Sequence, residues 1–208
     1  MLTGRSIVEG MKPRIIALLA LIIITAGYIV SGGLTNESKQ QANDKNPIPT
    51  ALGAPSEGAK APSFTVKDID GNTVSLEEYR GRSVIIWFMA AWCPSCIYMS
   101  NIISQATEGR EDVVVIMIDM WSEGFLEKAG ILGKPGYPPP DTVDRLRDFR
   151  EKYGRDSWIA VMDDGSLVEL YNVRYIDTVF VVDKDGTIVL GGGNVVTVDS
   201  LREAIGGG

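Results

Sequence analysis

The sequence predicts an α/β fold in which helices flank a mixed central sheet, with a transmembrane helix ahead of it at the N-terminus. Two continuous apolar runs carry the sheet prediction, SVIIWFMA at 83–90 and DVVVIMID at 112–119. Runs of this length without polar alternation are typical of central strands covered on both faces, and a helical pattern follows each of them. Residues 178–190 then place two strands around an Asp-Gly turn, which indicates a hairpin. Strands that alternate with helices and end in a hairpin predict a mixed sheet with right-handed crossovers.

The other elements follow from local signals in chain order. Ser75-Leu76-Glu77-Glu78 fits a capping box that opens a short helix. Pro94 suits the first position of a helix because its missing N–H would have no partner there. The predicted elements are a strand at 63–67, a short helix from 75 to 81, a strand at 83–90, a helix from 94 to about 108, a strand at 112–119, a helix from 141 to 153, strands at 158–163, 178–183 and 187–190, and a closing helix at 201–205.

An uncharged apolar run at residues 15–30 precedes the α/β region. As a helix it would span about 24 Å, so residues 31–34 are needed to approach the roughly 30 Å of a bilayer core. Lys12 and Arg14 stand before the run, and this asymmetry predicts a cytoplasmic N-terminus with the remainder outside the cytoplasm. A retained signal anchor is favoured over a cleaved secretory signal, because the run is long and no Ala-x-Ala site is present.

The chain is therefore predicted to divide into a cytoplasmic leader at 1–14, a transmembrane signal anchor at 15–34, a flexible linker at 35–60 and one α/β domain at 61–205. The linker prediction rests on its Asn, Gln, Ser, Pro and Gly content. The domain would be held at the outer face of a membrane, where disulfides form and persist. With a formal net charge of −7, the chain has no basic footprint for nucleic acid.

Cys93 and Cys96 are the only cysteines of the chain, and histidine is absent. Two thiolates without histidine cannot complete a Cys₄ or Cys₂His₂ zinc site, so no metal is expected. The absence of histidine also removes the usual general base of a Cys-His nucleophile. Any cysteine chemistry must therefore use the thiol pair itself.

The position of the pair between a strand and a helix predicts redox chemistry. Cys93 would stand at the helix start, where free backbone N–H groups and the helix dipole favour its thiolate and make it the attacking nucleophile. Cys96, almost one turn later, could close a disulfide with Cys93 or resolve a mixed disulfide. A purely structural disulfide is disfavoured, because so short a loop restrains little unfolded-state entropy. The expected redox group is the Cys93–Cys96 disulfide, with no separate cofactor.

Residues 61–96 contain, in order, the pattern A-P-x-F, D-x-x-G, L-x-x-x-x-G, an apolar strand and W-C-x-x-C. This stretch resembles the thioredoxin-like redoxins, of the cytochrome-maturation type, that are tethered outside bacterial and archaeal membranes; the similarity resumes at 146–190. The resemblance implies the thioredoxin fold and thiol-disulfide oxidoreductase activity on exported protein thiols or disulfides, with a membrane electron donor or acceptor. Peroxiredoxins share this fold, but Ile86 and Ala90 stand where their Pro-x-x-x-Thr-x-x-Cys motif has Pro and Thr, so peroxidase activity is not expected.

The chain departs from the family pattern beside the thiols. Asp177 occupies the position of the family's cis-proline, and the Ile176–Asp177 bond is expected to be trans because a cis bond there costs about 2.5–4 kcal/mol. Trp87 and Met99 stand where relatives carry the acid that accepts the proton of the resolving thiol. We therefore predict that Asp177 takes this role or else repels anionic partners. The predicted substrate groove comprises Trp92, Pro94, Ser95, Ile176 and Asp177.

The segment 120–141 is longer than the usual connection in the family. It should begin beside the thiols, because the strand at 112–119 neighbours the strand that leads to Cys93. It could overhang the thiols and select partners, or pack on itself as a surface loop, and both alternatives stay open. The predicted function is an extracytoplasmic thiol-disulfide oxidoreductase acting as a reductant. The alternatives are an oxidase that introduces disulfides and a non-catalytic, membrane-anchored binding module.

Overall fold

The computed structural model describes residues 55–192 and 196–206. The predicted leader at 1–14, the signal anchor at 15–34 and the linker up to residue 54 lie outside the described residues. Within the described ranges, no helix is both long and apolar enough to span a bilayer. The elements are β1 (Thr65–Lys67), β2 (Thr73–Ser75), a 3₁₀ helix (Leu76–Tyr79), β3 (Ser83–Met89), α1 (Pro94–Ala106), β4 (Val113–Asp119), α2 (Glu123–Lys128), α3 (Val143–Tyr153), β5 (Ile159–Met162), α4 (Ser166–Leu170), β6 (Thr178–Val182), β7 (Ile188–Leu190) and α5 (Val198–Ala204).

Five of these strands form one sheet in the order β5-β4-β3-β6-β7. The pairs β3–β4 and β4–β5 are parallel, whereas β3–β6 and β6–β7 are antiparallel. The predicted mixed sheet is thus confirmed, including the hairpin at its edge. β1 and β2 pair separately as a small antiparallel hairpin.

β3 and β4 occupy the centre of the sheet, and all seven residues of each strand are buried. The two faces of β3 enter two different hydrophobic clusters, with Ile85, Trp87 and Met89 on one side and Val84, Ile86 and Phe88 on the other. Burial on both faces explains why neither run shows polar alternation. Both strands end at the same edge, where Met89 pairs with Asp119.

Three local features differ from the sequence predictions. The short helix predicted to begin at Ser75 is a 3₁₀ turn without a capping box, because the Ser75 side chain caps no N–H. The nearby Glu77 instead accepts hydrogen bonds from Ser63 and Arg80. The sequence pattern also misses α2 and α4, which have five or six residues each and are too short to show a helical period.

Candidate active site

Cys93 lies at the junction between β3 and α1. Its N–H donates to the Ala90 carbonyl (3.0 Å), closing a tight turn after β3. Cys93 is then the N-cap of α1, and Pro94 is the first helical residue. Cys93 is 9% exposed, whereas Cys96 is completely buried, and both are free thiols. The predicted place of Cys93 at the helix start is confirmed, and of the two sulfurs only that of Cys93 reaches the surface.

Asp177 reaches the thiols from the start of β6. Its backbone is left-handed, with φ of 67°, and its N–H donates to the carbonyl of Phe88 on β3 (2.9 Å). The described residues contain no cis peptide bond, so the expected trans Ile176–Asp177 bond is confirmed. A carboxylate oxygen of Asp177 and the two cysteine sulfurs all lie within 4.8 Å of one another. The structure thus brings together the two cysteines and the acid that stands in the proline position.

Two hydrogen bonds fix the Asp177 carboxylate. Trp87 Nε1 donates to Oδ1 (3.2 Å), and the Ser95 hydroxyl donates to Oδ2 (2.5 Å). Ser95 Oγ also lies 3.1 Å from Cys93 Sγ. A chain of hydrogen bonds therefore connects the Cys93 thiol through Ser95 to Asp177. In the sequence, Trp87 stands out only because relatives carry an acid at its position. In the structure, its indole N–H orients Asp177, the acid predicted to act in place of the missing one.

The environment of Cys96 opposes ionisation of its thiol. Burial raises the pKa of Cys96 far above its usual value, and the hydrogen bond and negative charge of Asp177 raise it further. Cys96 therefore stays a thiol throughout the physiological pH range. Before it can attack another sulfur, it has to lose its proton to a neighbouring group.

The other predicted groove residues differ in their accessibility. Pro94 and Ser95 are exposed beside Cys93, while Ile176 is half-buried and packs between the two hydrophobic clusters. Trp92 is also half-buried, with its ring edge-on to Trp121 at 5.3 Å between centroids. Trp92 therefore connects the cysteine turn to the segment that follows β4.

The segment 120–141 packs on itself and also contacts the cysteine turn. Trp121 is buried, stacks against the half-exposed Tyr137 (6.5 Å) and donates its Nε1–H to the carbonyl of Pro138 (3.2 Å). The same indole contacts Trp92, which precedes Cys93. The loop thus has its own aromatic core, which touches the cysteine turn at Trp92, and the selection of partners by this loop stays a prediction.

Two buried acids, Asp119 and Asp141, are hydrogen-bonded to the backbone of the turn that carries Cys93. Asp119, at the end of β4, and Asp141, just before α3, both accept a hydrogen bond from the Ala91 N–H, at 3.1 and 2.8 Å. The two carboxyl groups are also close enough for the charge of each to affect the other. Arg145 reaches Asp141 at 3.3 Å from the exposed side. The contact between Asp119 and Asp141 is not predicted from the sequence. The available signal is Asp119 itself, a charged residue at the end of an otherwise apolar strand.

Burial makes this acid pair hold a proton. It raises the pKa of Asp119 to about 8, and the charge of Asp141 adds to the effect while N–H donors from Trp121 and Ala91 oppose it. Burial also raises the pKa of Asp141, with Arg145 acting in the opposite direction. Two carboxylates in contact cannot both ionise easily, so the pair shares one proton at neutral pH.

Residues 58–190 match the sequence model of the AhpC/TSA family. The chain belongs to the AhpC/TSA family. One AhpC/TSA relative, the thiol-disulfide oxidoreductase ResA of Bacillus thuringiensis, is 22% identical over 85% of this chain and 83% of its own length. A Mycobacterium tuberculosis protein provisionally named a peroxiredoxin is 33% identical over 66% of this chain and 85% of its own length.

Solved structures agree with the fold. A thioredoxin-like protein from Aeropyrum pernix superposes with a TM-score of 0.64 at 46% identity, covering 69% of this chain and 88% of that one. The predicted thioredoxin fold is therefore confirmed for the described domain of this AhpC/TSA member. The two free thiols lie close together, and the relatives include a thiol-disulfide oxidoreductase. The chain is therefore a thioredoxin-like thiol-disulfide oxidoreductase.

Proposed function

We propose that this chain is an extracytoplasmic reductant of disulfides in exported proteins, recharged by an electron donor in the membrane. The observation that carries the proposal is the arrangement of the thiols: Cys93 is slightly exposed, Cys96 is completely buried, and a carboxylate oxygen lies within 4.8 Å of both sulfurs. The proposed reaction uses no cofactor other than the Cys93–Cys96 pair.

The first step is attack by the Cys93 thiolate on a substrate disulfide. A new bond forms between Cys93 and one substrate sulfur, and the other substrate sulfur leaves as a thiolate that takes up a proton. Ser95 and Pro94 are exposed beside Cys93, so the substrate backbone can approach from this side. The product of this step is a mixed disulfide at Cys93.

The second step is attack by Cys96 on the mixed disulfide. The Cys96 proton passes to Asp177, the Cys93–Cys96 bond forms, and the remaining substrate sulfur leaves as a thiolate. Two electrons have then moved to the substrate, and this chain holds a disulfide. An oxygen of Asp177 lies within 4.8 Å of the Cys96 sulfur, and this proximity supports the role of the acid as proton acceptor.

The thiol environment supports the direction of transfer. Strong oxidants of this fold are oxidising because their reduced, thiolate form is stabilised. Here burial and the Asp177 charge disfavour the Cys96 thiolate, so Cys96 contributes no such stabilisation to the reduced form. This difference favours a reducing pair over a disulfide-introducing oxidase.

The reduction potential of the Cys93–Cys96 pair tests the proposed direction. The full chain in detergent would be equilibrated against defined thiol-disulfide buffers and its redox state measured. A midpoint near the value of about −270 mV for thioredoxin would support the reductant, and one near about −120 mV would identify a disulfide donor. A pair that never equilibrates would instead favour the non-catalytic binding module.

The proposed location rests on the apolar run at 15–30, within the predicted anchor at 15–34, and on the preceding Lys12 and Arg14. A membrane-impermeant maleimide should label Cys93 in intact cells or spheroplasts, and the chain should stay with membranes after an alkaline wash. Labelling only after lysis would reverse the topology. A soluble product that starts after the apolar run would show that the segment is a cleaved signal.

A second candidate function, peroxide reduction, is favoured by the name of the 33% identical relative. Against it, Ile86 and Ala90 replace the Pro and Thr of the peroxiredoxin motif, and both are completely buried apolar residues. The reduced chain should therefore consume hydrogen peroxide no faster than ordinary thiols do. Rapid consumption that is lost in Cys93→Ser would favour the peroxidase instead.

A further inference from the structure

The cysteine pair and Asp177 form a set of three candidate metal ligands. Among the described residues, this is the only cluster of three or more Cys, Asp, Glu or His side chains that lies close enough to hold one ion. The sequence alone predicts no metal, because it offers two cysteines and no histidine. The fold adds a carboxylate from β6, a ligand that lies far from the cysteines along the chain.

The chemistry of these ligands suits zinc and related divalent ions. Zinc accepts thiolate sulfur at about 2.3 Å and carboxylate oxygen at about 2.0–2.2 Å in tetrahedral geometry. Ligand atoms of such a site stand roughly 3.5–3.8 Å apart by this geometry, so donor atoms within 4.8 Å of one another need only a small closure. Three protein ligands would leave one coordination position open.

The surroundings of Asp177 resemble the outer shell of a metal site. Trp87 Nε1 and Ser95 Oγ each donate to a different oxygen of the carboxylate. Each oxygen keeps a lone pair for a metal, because a carboxylate oxygen can accept more than one partner. Hydrogen bonds of this kind orient ligating carboxylates and strengthen metal binding. The left-handed backbone of Asp177, fixed by its bond to Phe88, holds the ligand in place before an ion arrives.

Cys93 and Cys96 can both bind a metal only when they are reduced. Both sulfurs are free in the structure. Binding would release the two thiol protons, and formation of the Cys93–Cys96 bond would remove two electrons and both thiolate ligands. The 9% exposure of Cys93 leaves an ion a route from solvent.

We propose that Cys93, Cys96 and Asp177 bind a divalent zinc-class cation when the pair is reduced and release it when the disulfide forms. This proposal rests on the proposed function in one respect, since both assign Cys93 and Cys96 as a reversible pair. Bound zinc would withdraw the nucleophile, so the metal would hold the enzyme inactive and reduced. It would also make the midpoint potential depend on zinc, because a ligand of the reduced state stabilises that state.

Cobalt(II) is the probe for the test, since its thiolate complexes absorb visibly and zinc displaces it. Cobalt would be titrated under argon into the reduced full chain after removal of the reductant. We expect thiolate-to-cobalt absorption that saturates at one ion per chain and is absent from the disulfide form. Asp177→Ala should weaken cobalt binding at least about tenfold. Asp185→Asn, an exposed acid at the far end of β6, should bind like the wild type.

A redox measurement makes the test independent of the folding of the variant. Each tenfold rise in free zinc above its dissociation constant should raise the wild-type midpoint by about 30 mV, and a chelator should reverse the shift. No cobalt absorption and no shift would overturn the proposal. Equal binding by a folded Asp177→Ala would overturn the role of Asp177. Because disulfide exchange is measured without metal, either result leaves the test of the proposed reductant unaffected.

Discussion

Cys96 has to lose a proton before it can attack, yet burial and Asp177 hold that proton in place. The same carboxylate that disfavours the Cys96 thiolate lies within 4.8 Å of its sulfur and can accept its proton. Trp87 and Ser95 hold the Asp177 oxygens toward the sulfurs, so the transfer needs little rearrangement. At the scale of the residue, the position of Asp177 therefore determines both how firmly Cys96 holds its proton and where that proton can go.

Asp177→Asn tests the role of that acid. The amide keeps the shape of the side chain but cannot accept the Cys96 proton, so we expect release of substrate from the mixed disulfide to slow about 100-fold. The slowed rate should rise with pH, because hydroxide must then ionise Cys96. Stopped-flow release of a fluorescent substrate thiol at several pH values measures this. A rate and pH profile equal to those of the exposed Asp185→Asn control would contradict the assignment.

The acid pair beneath the cysteine turn predicts an unusual pH dependence of stability. Asp119 keeps a proton up to about pH 8 in the folded state, whereas the unfolded carboxyl loses it near about pH 4. Between these values the folded state binds more protons, so the free energy of unfolding should fall as pH rises. The slope should not exceed about 1.4 kcal/mol per pH unit.

Asp119→Asn should remove most of this dependence, because the amide donates to Asp141 at every pH. Urea unfolding of the reduced chain at pH 5 and pH 8 gives the comparison. The exposed Asp156→Asn variant should keep the wild-type slope. An Asp119→Asn slope as steep as that of the wild type would show that another group titrates.

At the scale of elements, the sequence predicts best what is buried on both sides. β3 and β4 can be predicted because every side chain except Ser83 and Asp119, at their ends, is apolar. α1 can be predicted because a proline follows Cys93. The small β1–β2 hairpin is partly exposed, and only its first strand can be predicted. The short helix α2 could not be predicted from the sequence. It lies in a loop whose structure depends on aromatic contacts between residues far apart in the chain, such as Trp121 and Tyr137. Local patterns carry no information on such contacts.

The contact between that loop and Trp92 leads to a prediction about substrates. Tyr137 is half-exposed and stacks on Trp121, which touches Trp92 beside Cys93. Tyr137→Ala should lower the rate with a protein disulfide several-fold and leave the rate with a small aromatic disulfide unchanged. Leu132→Ala removes an exposed apolar side chain of the same loop and serves as the control. Equal rates for both variants on both substrates would identify a loop that only packs on itself.

For the whole molecule, the motif and the register of β6 are enough to predict three members of the site. Cys93 and Cys96 are separated by only two residues, and Asp177 follows from its place just before the hairpin strand. Asp119 and Asp141 escape prediction because they meet only after a long connection closes on the Ala91 N–H. No local pattern in one sequence specifies that closure.

The whole chain should form a mixed disulfide with its partner when Cys96 cannot resolve it. In cells that make Cys96→Ser, we expect exported proteins linked to Cys93 that separate on reduction. The double variant Cys93→Ser, Cys96→Ser is the control and should trap none. Equal amounts of linked protein in both would rule out exchange through Cys93 and favour the binding module.

The left-handed backbone of Asp177 also restricts how this chain could evolve. Proline requires φ near −65° and has no N–H, whereas Asp177 has φ of 67° and donates to Phe88. A single substitution to the family's proline would therefore break a hydrogen bond to the central strand and force the preceding loop to rebuild. Position 177 is therefore expected to accept asparagine or glycine, which adopt this conformation readily, far better than proline.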